Sequence, residues 1–137
     1  MRLPMLRRVL IAMPIALTLA GMPAWGQTQQ QQQQNAAATA FDLSLQRLSE
    51  ILGALHYLRT LCGSNEGQKW RDEMAALVAA EAQAADRKAR MTAAFNRSYR
   101  GFQQNYRTCT PAADIVIRRY LEEGSKIARD LTARYAN

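Results

Sequence analysis

Two cysteines, Cys62 and Cys109, constrain this chain more than any other feature. Around them the apolar residues recur at three- and four-residue steps, the signature of helix, and no strand alternation appears. A bond between the two thiols would dictate which helix ends meet. In an up-down-up-down bundle the first and third helices end at the same pole. Cys62 falls at the end of the first predicted helix and Cys109 just past the end of the third, so the simplest topology brings them together. Closing that loop is worth ~4 kcal/mol in the chain-entropy account, a large share of the ~5–15 kcal/mol typical of a domain. Two buried free thiols are the alternative, and they suit a cytosolic protein. Neither CxxC nor CxxCH occurs, so a redox-active pair and a c-type haem attachment are not indicated.

The compartment is read from residues 1–26. Arg2, Arg7 and Arg8 form a positive start, residues 9–20 are apolar, and Ala24, Trp25 and Gly26 precede the expected mature start at Gln27. This is a secretory signal peptide pattern. The apolar run is shorter than the ~20 residues a membrane-spanning helix needs, so an uncleaved anchor is the lesser reading and no stable span is expected after cleavage. Loss of the three arginines lowers the formal charge from +7 to +4. A modest positive charge suits anionic envelope components better than nucleic acid, which calls for a concentrated basic face and a reading element.

Residues 27–40, a glutamine run followed by alanines, lack any apolar period and are expected to be a disordered linker. The folded domain is expected over 41–137 as an all-α, small antiparallel four-helix bundle with one disulfide. The first helix, over 42–61, has Leu45, Leu48, Leu52 and Leu55 as its stripe, with Ile51 and Leu58 at its edges, and Gly63 as its left-handed cap. The second runs over 66–82 with Trp70, Met74, Leu77 and Val78 inward. The third runs over 86–107 from Asp86 as N-cap, with Met91, Phe95, Phe102 and Tyr106 inward. Gly101, mid-helix, predicts close approach to a neighbour. The fourth runs over 111–135, announced by Thr110 and Pro111, and its Gly124 and Ala128 also predict close contact.

Three groups of residues are candidates for chemistry. Arg59 projects from the leucine face of the first helix and needs a carboxylate or an exit to solvent. It is expected to form a polar cluster at the disulfide pole with Glu66 and Asp114, with His56 one turn below. That cluster is either an anion pocket or an ion-paired lid that orders the loops. Arg90, Arg97, Arg100 and Arg107 form a second candidate, a basic strip on the outer side of the third helix. His56 is the one histidine, and no second one exists to build a zinc site. No metal, cofactor or catalytic set is expected, because no Walker, Rossmann, HExxH, GxSxG or EF-hand pattern is present.

The stretches EILGALHYLRTLCGSNEGQKWRDEM, FNRSYRGFQQNYRTCTPAAD and IRRYLEEGSKIARDLTARY carry a family resemblance. Over nearly all of residues 42–136 the chain resembles an uncharacterised family of alphaproteobacterial exported proteins, a domain of unknown function. The resemblance implies a bacterial envelope protein with both cysteines belonging to the family pattern, and it implies no activity.

The resulting expectation is a periplasmic, non-enzymatic binding protein. Its partner would be an envelope protein or an anionic envelope polymer, met at the disulfide pole or the basic strip. One alternative is a periplasmic chaperone or adaptor that opens between the second and third helices and offers Trp70, Met74 and Met91 to apolar clients. Another is an enzyme built on His56, Arg59 and Glu66.

Overall fold

A computed structural model describes residues 25–135 and contains four helices: α1 (Trp25–Leu61), α2 (Lys69–Glu81), α3 (Ala85–Asn105) and α4 (Pro111–Tyr135). Among the described residues there is no strand. The expected leader, 1–26, lies almost wholly outside them.

The helix ends follow from local chemistry. Gly63 adopts φ +78°. The Ser64 N–H then donates to the Arg59 carbonyl at 2.9 Å and the Gly63 N–H to that of Thr60 at 3.1 Å. This paired closure satisfies carbonyls that the end of α1 would otherwise leave unmade. At the other side of the pole, the Ala113 N–H donates to Thr110 Oγ1 at 3.2 Å, and Pro111 occupies the first turn of α4. Several boundaries differ from expectation, among them the end of α3 at Asn105, which leaves Arg107 beyond the helix. α2 begins at Lys69, not near 66, because Glu66 stays in the connecting turn. Asp86 is not the N-cap of α3. Ala84 holds that position without a side-chain bond, and Asp86 lies in the first turn, where its charge suits the helix dipole.

Residues 28–40 continue α1 as helix with every residue exposed, where the sequence suggested an irregular linker. The physical reason is continuity: glutamine and alanine are good helix formers, and neither proline nor glycine interrupts 28–52. From residue 28 onward, Phe41 is the first half-buried side chain of α1.

α1 is the centre of the domain and not one corner of a square. Between Leu48 and Leu55 every residue except Glu50 is buried. A helix apolar on all sides must be surrounded, and α1 packs against α2, α3 and α4. α2 touches α3 lightly, while the backbones of α2 and α4 do not meet. The core has two layers. Leu45, Leu48, Leu52, Met74, Met91 and Phe95 form one. Ile51, Leu55, Leu58, Ala113 and Ile117 form the other, nearer the disulfide. Each fully buried leucine or isoleucine contributes roughly 1.5–3 kcal/mol.

Glycines set the distances between helices. A Cβ at Gly53 would collide with the Phe95 carbonyl, so α1 and α3 are in backbone contact there. A Cβ at Gly124 would sit 3.1 Å from Ile51 Cγ2, which seats α4 on α1 as the sequence suggested. Gly101 has nothing within 4 Å. The close approach expected there occurs at Gly53 instead.

Candidate functional site

The disulfide exists. Cys62 and Cys109 are joined, with their Cα atoms 4.9 Å apart. It ties the end of α1 to the α3–α4 connection, two residues before α4 begins. Asp114 stands beside it, one carboxylate oxygen 4.0 Å from Cys109 Sγ. These three residues lie close enough to hold an ion, but bonded sulfurs are not thiolates and make poor ligands.

The polar cluster forms only in part. Arg59 Nε donates to Glu66 Oε2 at 2.7 Å, and Lys69 approaches the other oxygen of Glu66 at 3.8 Å. The Arg59 hydrogen bond holds the Glu66 carboxyl below the usual carboxylate range. Asp114 makes no ion pair with Arg59; it is exposed at the start of α4, so the expected trio does not assemble. Arg59 and Glu66 neutralise each other, as a lid over the α1–α2 turn would.

His56 sits one turn below, between α1 and α3. Its ring centroid is 5.3 Å from Tyr99 and 5.8 Å from Phe95. Nδ1 is buried with no hydrogen-bond partner. Burial lowers its pKa below the ordinary 6.5, and the nearby Arg71 charge adds to the effect. A neutral imidazole packed on aromatic rings is what this arrangement favours.

The basic strip divides in two. Arg90 is taken up by Asp86 at 2.6 Å and Asp42 at 3.4 Å. Arg97, Arg100 and Arg107 are exposed and make no ion pair among the described residues. Arg97 also borders a polar cleft of about 270 Å³ between α3 and α4, with Arg47, Glu50, Ser98 and Tyr120. There Arg47 is clamped by Glu123 at 2.7 and 2.9 Å and lies over the Tyr120 ring at 5.2 Å. Its guanidinium depresses the Glu123 pKa.

A feature that sequence reasoning missed is larger. Because α2 and α4 both rest on α1 without meeting, a trough of about 610 Å³ runs between them. Leu48, Ile51, Leu52 and Leu55 form its floor. Trp70 and Leu77 line the α2 wall and Leu121 the α4 wall. Lys69, Glu73 and Ser125 supply its charged and hydroxyl groups. Between α2 and α3, where an opening was expected, the two helices are in contact and Met74 and Met91 are both buried in the core. Trp70 does line a groove, but on the other flank of α2. The signal for it was the small residues: Ala76 and Ala80 on α2, and Gly124 and Ala128 on α4, each pair one turn apart.

No described helix is long and apolar enough to cross a membrane. The class so defined is a small all-helical domain with a central helix, one disulfide and an open apolar trough. The chain belongs to the DUF2385 family of proteins of unknown function, whose pattern matches residues 40–135. No curated protein and no solved structure matches the chain.

Proposed function

We propose that this is a non-enzymatic binding protein of the cell envelope, and that the trough between α2 and α4 seats an amphipathic helix of a partner protein. The trough carries the reading. Its floor and upper walls are apolar and its polar groups are few, which matches a helix with one apolar stripe and flanking polar residues. Two helices that share a floor but do not touch leave the place of a further helix vacant. An acyl chain fits less well, because small-molecule sites bury most of their ligand and an open trough would not. The leader pattern and the disulfide support an extracytoplasmic location. Arg59 is paired with Glu66 and the two cysteines are bonded to each other, so these groups are already engaged, and this favours binding over catalysis.

Trp70 provides the readout. In a Trp25→Phe chain, titration with a synthetic amphipathic helix of leucine, lysine and glutamate is expected to shift Trp70 emission saturably to the blue. Ala76→Leu combined with Ala128→Leu fills the trough and is expected to abolish the shift while far-UV circular dichroism is unchanged. Absence of binding to the parent chain, or undiminished binding to the filled variant, overturns the reading.

A further inference from the structure

The distribution of charge on α3 points to a second surface, independent of the trough. From Arg87 to Ala113 the chain contains no aspartate or glutamate, yet it carries the cations Arg87, Lys88, Arg90, Arg97, Arg100 and Arg107. The early part is compensated from outside this stretch: Arg87 meets Asp42 at 2.9 Å, and Arg90 meets Asp86 and Asp42. Beyond Ala94 the cations of this stretch make no ion pair among the described residues. A three-residue step places Arg97 and Arg100 on one side of α3, and Arg107 follows in the bend just beyond the helix end at Asn105. Asn96, Gln103 and Gln104 are exposed among them.

We infer that this face of α3 binds an anionic polysaccharide bearing carboxylate groups, such as a polyuronate. Guanidinium groups match carboxylates in planar, paired hydrogen bonds. The interleaved amides both donate and accept, so they call for a ligand whose hydroxyls do the same. A polyphosphate only accepts and would leave the amide oxygens unused. A lipid surface fits worse still. Interfacial helices insert large apolar side chains, and the exposed ones here, Leu43, Ile115 and Leu121, all lie off α3.

Affinity electrophoresis of the oxidised full chain through gels containing polygalacturonate, polyphosphate or neutral dextran tests this. Polygalacturonate is expected to retard the protein, polyphosphate to do so less and dextran not at all. The combined variant Arg97→Gln, Arg100→Gln, Arg107→Gln is expected to lose about tenfold in affinity for polygalacturonate. A charge-matched control, Arg71→Gln, Arg118→Gln, Arg134→Gln, removes three exposed cations elsewhere and is expected to lose much less. Equal losses in the two variants would reduce the effect to net charge and overturn the inference. So would stronger retardation by polyphosphate, or no retardation by polygalacturonate.

Discussion

The α1–α3 contact and the α2–α4 gap are built from the same kind of residue with opposite results. Between α1 and α3, Gly53 lets the backbones touch at Phe95 while Met91, Ala94 and Phe95 fill the space around it. Across the gap, Ala76, Ala80, Gly124 and Ala128 also withdraw side-chain volume, but no large side chain fills the space they leave. Small residues therefore give close packing where the opposing surface supplies bulk, and a trough where both walls carry small residues and the two helices stand apart. A pattern of glycine and alanine in one helix does not distinguish the two outcomes; the facing helix decides.

The strongest way to break this contrast is to release α4. It is held by α1 and by the covalent link at Cys109, whereas α3 is locked along its length. Replacing both cysteines by serine is expected to cost about 4 kcal/mol in denaturant unfolding. Amide exchange should rise in α4 before α3. Simultaneous loss of protection in both helices would contradict the asymmetry.

A matched pair of glycine substitutions sharpens it. Gly53→Ala forces a methyl group against the Phe95 carbonyl and is expected to destabilise by about 3 kcal/mol, the upper part of the range for overpacking. Gly101→Ala meets open space and is expected to stabilise by about 1 kcal/mol. Equal effects measured by thermal unfolding would show that the α1–α3 contact is looser than described.

The smallest expected effect is a pH dependence from the closed side. The folded protein holds the His56 pKa below 6.5, so the unfolded chain binds more protons as pH falls through that value. The contribution of His56 is complete above about pH 6.5 and is lost progressively below it. His56→Gln should flatten the stability curve between pH 7.5 and 5.5. The depressed carboxyls of Glu66 and Glu123 act in a lower window, below their usual range near 4.5, and should be unaffected by that change.

Much of the architecture was legible in the residues. Gly63, Thr110 and Pro111 marked helix ends because capping is local chemistry. The cysteines came together because Cys62 follows the end of α1 and Cys109 the end of α3, and helices that fold back in turn bring those two ends to one pole. The central place of α1 was harder to see. A leucine stripe announces one buried face, and only the additional run Ile51, Gly53 and Ala54 shows that the helix is buried on its other sides too. The candidate site was least legible. Arg59 and Glu66 meet through a turn whose course periodicity does not describe. Asp114 was placed at the correct pole but not against Arg59. The trough depends on two helices failing to meet, which is a property of their separation and not of either sequence.

The uninterrupted course of α1 has a mechanical consequence. Residues 28–40 project about 20 Å from the packed unit at the helical rise, and the same rod continues inward as the spine from Leu45 to Leu58. With no joint between the outer and inner parts, a force applied to the arm acts on the spine as on a lever. Twisting or tilting the arm would tilt the floor of Leu48, Ile51, Leu52 and Leu55 beneath its neighbours.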